Sequence, residues 1–183
     1  GTLTFGFPTV TDVISLNRLS NKEIVATAAA IESHSEHHLA DAIVRYAREQ
    51  GISYDGITIH QFESLTGRGI RAALNGEIYY IGNHTLAEEK RICSPAVEER
   101  LQELEREGKT TIVLGTEKTA LGVIAIADQI RTESKEAIKA LHENGIEKII
   151  MLTGDNQGTA KAISEQLAVD EYKAELLPEH KVE

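Results

Sequence analysis

Two short runs far apart in this chain carry the residue types that phosphate chemistry uses. Gly1-Thr2-Leu3-Thr4 stands at one end, and Met151-Leu152-Thr153-Gly154-Asp155-Asn156 near the other. Each reads as a strand end entering a small, hydroxyl-rich turn that contains glycine. Turns of that kind let backbone N–H groups come close to a phosphate oxygen. Pro178-Glu179-His180-Lys181 follows the second run and adds a compact cation. Together the runs read as pieces of one phosphoryl-transfer site with a large insert between them. For Asp155 alone the plainer role is a helix cap, and for Lys181 a solvated lysine.

The elements that must position these residues fall into two patterns. Ser20 and Glu23 form a capping-box pair, after which Ile24, Val25, Ala28 and Ile31 give one apolar helical face. A second helix is predicted over 36–50, with Leu39, Ile43, Val44 and Ala47 inward and Gly51 as its left-handed stop. Strands are predicted over 56–63, 69–74 and 77–81, with Asn75-Gly76 as a two-residue hairpin turn. Ser94-Pro95 opens a further helix that Gly108 closes, and 110–114 with 120–127 reads as a second hairpin. This stretch is an antiparallel sheet with packed helices. After Asp128 the pattern becomes helix 132–144, strand 148–152 and helix 157–167, the alternation of a parallel α/β fold. Ligands of such sheets sit at the carboxyl ends of strands, where Thr153 to Asp155 lie. The predicted boundaries are residues 9–126 for an inserted domain, with 1–8 and 127–183 forming one discontinuous domain.

Composition narrows the function classes. The chain has 183 residues, 41% hydrophobic and 4% aromatic with no Trp, which predicts an aliphatic core. Its net charge of −10 argues against a nucleic-acid surface. A single cysteine, Cys93, excludes an internal disulfide framework. No apolar run approaches about 20 residues, and no leader pattern is visible. His34, His37 and His38 have spacings that can chelate a metal. With no cysteine nearby and a helix junction inside the segment, no metal site is expected.

The two terminal runs, taken with a second set of motifs, resemble the cytoplasmic catalytic part of P-type ATPases, specifically the heavy-metal-transporting branch. Ser35-Glu36-His37-His38-Leu39-Ala40 is similar to that branch's Ser-Glu-His-Pro motif, with His38 where proline is common. Gly67-Arg68-Gly69-Ile70 resembles its Gly-x-Gly turn and Gly82-Asn83 its Gly-Asn pair. Glu32 stands five positions before the motif histidine, as a family glutamate does. The run 122–131 is closer to zinc/cadmium/cobalt-type members than to copper-type ones. The resemblance covers the whole chain in order.

The resemblance implies an α/β fold: an antiparallel nucleotide-binding domain inserted into a partial haloacid-dehalogenase-like Rossmann domain. It implies ATP and Mg2+ as ligands. Glu32, His37, Gly67, Gly69, Ile70, Gly82 and Asn83 would bind the nucleotide, His37 against adenine and Glu32 at its amino edge. A neutral imidazole can stack on a purine and still donate one hydrogen bond. A side chain at Gly67 or Gly69 would fill space that the ligand needs. Thr2, Thr153, Asp155 and Lys181 would serve phosphoryl transfer, and Asp128 with Arg131 would form the hinge between domains. The phosphorylated aspartate of the family precedes the position of Gly1, so these 183 residues alone are expected to form no aspartyl-phosphate. The expected partners are adenine nucleotide and the membrane and actuator domains of a parent transporter. The chain itself is expected to be soluble, monomeric and on the cytoplasmic face. Two alternatives stay open: a soluble haloacid-dehalogenase-type phosphatase or mutase, and a non-catalytic nucleotide-binding module.

Overall fold

The computed structural model describes residues 2–128, 130–155 and 157–176. They divide into two compact units, one comprising Pro8–Leu101 with Thr111–Ile126, the other the described parts of 1–7, 102–110 and 127–183.

The first unit is built on a six-stranded sheet. Its strands are β1 (Thr9–Ser15), β2 (Ile59–Leu65), β3 (Gly69–Leu74), β4 (Glu77–Gly82), β5 (Thr110–Thr116) and β6 (Ala120–Ala127). They lie in the order β1-β6-β5-β4-β3-β2, and the pairings β2–β3, β3–β4 and β4–β5 are antiparallel. At the β3–β4 turn, Asn75 (φ 50°) and Gly76 (φ 85°) both take the positive φ that a tight hairpin demands, with Leu74 paired to Glu77.

Helices α1 (Asn21–Glu32) and α2 (His38–Glu49) pack on this sheet. The capping box at the start of α1 is formed: Glu23 N–H donates to Ser20 Oγ at 3.3 Å, and Ser20 N–H to Glu23 Oε2 at 2.8 Å. Ile24, Val25, Ala28 and Ile31 of α1 join Ile43, Ala47, Ile81, Leu114 and Ile124 in one buried aliphatic cluster. Small residues in both helices bring their backbones close. Two helices follow β4: the short α3 (His84–Glu89) and α4 (Pro95–Arg106), the latter with proline at its first position.

Several predicted bounds move. The second helix begins at His38, not at residue 36, because His37 is an extended N-cap (ψ 138°) whose Nδ1 accepts the Leu39 N–H at 3.3 Å. Its buried residues include Ala40 and Ala42, while Leu39 and Val44 are only partly covered. The strand predicted from residue 56 starts at Ile59, after a turn closed by Ile57 N–H to the Tyr54 carbonyl at 3.0 Å. Strand β1 and helix α3 have no counterpart in the sequence reading.

The second unit contains α5 (Thr132–Glu143), β7 (Ile150–Leu152), α6 (Gln157–Leu167) and β8 (Glu171–Lys173), with β7 and β8 parallel. The strand predicted from residue 148 begins two residues later. The Ile149 N–H is already taken by Asp170 Oδ2 at 2.7 Å and so lies outside the ladder. Ile138, Met151, Ala160, Ile163 and Leu167 form its core, and Leu3 and Ile130 pack against them. No helix among the described residues is long and apolar enough to cross a membrane.

Candidate functional site

In the first unit, four of the predicted residues meet at one end of the β3–β4 hairpin. Gly69 and Gly82 are register partners. Asn83 donates from Nδ2 to the Gly67 carbonyl at 3.0 Å and from its backbone N–H to the Arg68 carbonyl at 2.9 Å. Its Oδ1 accepts the Leu86 N–H at 3.0 Å and so caps α3. Arg68 reaches Glu89 of the same helix at 2.9 Å. Asn83 thus ties the glycine turn to α3.

The glycines here have different physical reasons. A Cβ on Gly69 would lie 2.2 Å from the Ile81 carbonyl oxygen, and one on Gly82 2.3 Å from the Arg68 carbonyl oxygen. Both are therefore required by backbone packing within the hairpin, a reason for glycine at Gly69 that needs no ligand. Gly67 is the open one: nothing lies within 4 Å of its Cβ direction, and its φ of +67° is what a side chain would oppose. Ile70 points into the aliphatic core and is 5% exposed, so toward a ligand it offers only backbone.

Glu32 and His37 lie on the connection between α1 and α2. Glu32, the last residue of α1, is buried at 7% exposure. Burial pushes its carboxyl up to about 7, against a smaller lowering by a hydrogen bond from Ser35. The Ser35 hydroxyl also accepts the His37 N–H at 3.3 Å, so Ser35 links the two residues. The His37 ring is exposed, 4.3 Å from the His38 ring between centroids. Partial desolvation, then the charge of His38, hold its pKa below the ordinary value, which favours neutral imidazole. Because Nδ1 accepts from Leu39, the neutral proton sits on Nε2 and points a donor away from the helix end.

In the second unit, Thr153 and Asp155 stand directly after β7. Thr153 Oγ1 donates to Asp155 Oδ2 at 2.6 Å and accepts the Asp155 N–H at 3.1 Å. Backbone bonds from Leu176 to Thr153 and from Glu175 to Asp155 hold this turn against the segment after β8. Asp155 remains exposed. Asp128 and Arg131 tie down the segment that contains Thr2. Asp128 accepts the Gly6 and Phe7 N–H groups at 3.1 and 3.2 Å. Arg131 Nε donates to the Thr4 carbonyl at 2.9 Å, with its guanidinium 5.0 Å over the Phe5 ring. Thr2 itself is exposed. Lys181 lies outside the described residues.

One group of chemically capable residues was not foreseen. His84, Glu88 and Glu98 bring one ligand atom each to within 4.8 Å of one another. The i, i+4 spacing of His84 and Glu88 is a readable signal, but it counts only once α3 is known to be a helix.

These two sites sit on a fold whose lineage is shared with other proteins. A family model for haloacid dehalogenase-like hydrolases matches residues 1–183, and the chain belongs to that family. Within it, the whole chain is 45% identical to a cadmium-transporting ATPase of Staphylococcus aureus, of which it covers 26%. A crystal structure of a zinc-transporting PIB-type ATPase in an E2.Pi state matches all of this chain with a TM-score of 0.72 and 36% identity, over 29% of that chain. The catalytic domain of the CPx-ATPase CopB-B, studied for conformational changes upon nucleotide binding, matches the whole chain with a TM-score of 0.67 at 28% identity, over 62% of that chain. The resemblance to heavy-metal-transporting P-type ATPases therefore holds along the full sequence. The chain spans about a quarter of the length of the curated relatives it matches.

Proposed function

We propose that this chain is the ATP-binding cytoplasmic portion of a heavy-metal cation-transporting P-type ATPase, of the zinc and cadmium type. The single observation that carries the ATP-binding role is the whole-chain match to a CPx-ATPase catalytic domain studied upon nucleotide binding; the metal type follows the 45% identity to a cadmium-transporting ATPase. In this reading residues 9–126 form the nucleotide-binding domain, and 1–8 with 127–183 form part of the phosphorylation domain.

The adenine stacks on the exposed His37 ring, whose in-plane Nε2–H is left to donate to an acceptor beside the base. Glu32, once ionised, accepts from the exocyclic amino group. Gly67 leaves open space beside the turn that Asn83 braces, and the phosphate chain passes there. At the end of β7, the Thr153 hydroxyl and the exposed Asp155 carboxylate are hard oxygen donors of the type Mg2+ takes, and these two residues would help to hold it. Bound Mg2+ supplies charge neutralisation on the phosphates. Lys181 is assigned to the transferring phosphoryl group as a compact point charge. The acceptor aspartate and the membrane and actuator domains belong to the parent protein.

Titration of the 183-residue chain with ATP, followed by amide NMR, tests the reading. Binding in the range of about 0.1 mM to millimolar is expected, because one domain supplies only part of the interaction energy. The expected perturbations fall on Glu32, His37, Gly67, Gly69 and Asn83. Shifts confined to Thr153, Gly154 and Asp155 would refute the assignment.

A further inference from the structure

We propose that His84, Glu88 and Glu98 form a binding site for a divalent cation of the zinc and cadmium class, between α3 and the first turn of α4. The inference rests on the geometry of these two helices and is independent of the reading of the chain as part of a transporter.

His84 and Glu88 are four residues apart on α3, so their side chains share one face. Glu98 comes from the first turn of α4, whose start is fixed by Pro95 and by Glu98 N–H to the Ser94 carbonyl at 3.0 Å. His84 Nε2 meets Glu98 Oε2 at 2.7 Å, and a Glu88 carboxylate oxygen falls inside the same 4.8 Å circle. A lone imidazole–carboxylate pair needs one acid; here a second carboxylate oxygen, from Glu88, lies within 4.8 Å of a His84 ring nitrogen and of the Glu98 carboxylate. Two carboxylates and a neutral imidazole balance a doubly charged ion. His84 and Glu98 are half-buried, while Glu88 is exposed and leaves a path from solvent.

The fit requires side-chain motion only, with the exposed Glu88 carboxylate, within 4.8 Å, closing by up to about 1.5 Å. Donor atoms bound to tetrahedral zinc at about 2.0–2.1 Å are about 3.3 Å apart. The His84–Glu98 contact must therefore open by about 0.6 Å as the ion takes the place of the proton between them, and the neutral imidazole keeps its one proton by carrying it on Nδ1. Water completes the fourth position. An imidazole donor selects against Mg2+ and Ca2+, which prefer all-oxygen sites. Cys93 lies in the connector between the two helices. Burial and the charges of Glu98 and Glu88 push its thiol pKa up, so it sits in the field that the cation would reverse.

The test is calorimetric titration of the whole 183-residue chain with ZnCl2, in wild type, His84→Ala, Glu88→Gln and a His34→Ala/His38→Ala control. One equivalent binding with a Kd of about 1–10 μM is expected. It should weaken at least about tenfold in His84→Ala and in Glu88→Gln and stay unchanged in the control; Co2+ in place of Zn2+ should give a tetrahedral visible absorption that Glu88→Gln alters. If His84→Ala fails to fold, the exposed Glu88→Gln substitution decides alone. Binding that survives Glu88→Gln, binding lost in the control, or no binding below about 1 mM overturns the proposal.

Discussion

Glu32→Gln should make the protein more stable and its ATP binding weaker, with the first effect growing as pH rises. The carboxyl titrates near 4.5 in an unfolded chain and at about 7 in the folded one. Below pH 4.5 it is protonated in both states and adds nothing to the pH dependence. Between 4.5 and 7 the unfolded chain gives up its proton while the native chain keeps it, so stability falls as pH rises. Above about pH 7 the loss is complete. A difference of about 2.5 pKa units corresponds to about 3 kcal/mol, of which about 1 kcal/mol is already present at pH 5. Gln has nearly the same shape, carries no charge and can still accept from Ser35, so it removes that penalty. Urea denaturation followed by far-UV circular dichroism, at pH 5 and pH 8, should show the variant gaining about 2 kcal/mol more over wild type at pH 8 than at pH 5. A stability difference that does not change with pH would mean that the carboxyl is not held in its neutral form. ATP affinity should move the opposite way: wild type should bind more tightly at pH 8 than at pH 6, because the ionised carboxylate is the stronger acceptor for the adenine amino group, and the Gln variant should lose this dependence.

Other substitutions separate folding from binding in the same region. His37→Ala should abolish most ATP binding by calorimetry and cost about 1 kcal/mol of stability through the lost cap on Leu39; His37→Asn should keep the stability and still lose the binding. His38→Pro should raise the melting temperature by an amount equivalent to about 0.4–1 kcal/mol, since His38 is the first helical residue and His37 already has the extended backbone a following proline requires. Gly69→Ala should unfold or destabilise the first unit by about 3 kcal/mol or more, whereas Gly67→Ala should cost about 1–2 kcal/mol and act mainly on ATP affinity. Equal losses of stability at the two glycines would contradict the packing reason given for Gly69.

The elements legible in the sequence are those with a strong local signal. The Ser20–Glu23 box, the Asn75-Gly76 turn, the Ser94-Pro95 helix start and the helix from Gln157 to Leu167 each have caps, turn residues or a sustained apolar period. Strand β1 escaped because Asp12 interrupts a short stretch whose pairing with β6 is wholly non-local. Helix α3 has six residues, too few for a period to emerge, and the three-residue β8 is defined only by its neighbour β7. The limits at the site have the same origin. Sequence brought Gly67, Gly69, Gly82 and Asn83 into one motif set, yet it could not tell a glycine that faces open space from one pressed on a carbonyl. Nor does a glutamate at a helix end announce its own burial, which depends on how α1 and α2 pack. The convergence of His84 and Glu98 requires two helices to meet, and no spacing in the sequence encodes that.

The bonds from Asp128 and Arg131 to Thr4, Gly6 and Phe7 join positions more than 120 residues apart along the chain. In polymer terms they act as a non-covalent staple that closes one very long loop. The cost of closing such a loop grows only logarithmically with its length, so insertions or deletions within residues 8–126 should change the strength of the staple very little. Cutting the chain at an exposed turn inside that loop would turn closure into association of two pieces, which the pairing of β1 with β6 would have to hold together. Residues 2–7 with Asp128 and Arg131 thus mark where the ends of the inserted stretch are held, so that changes of length belong at exposed turns between them.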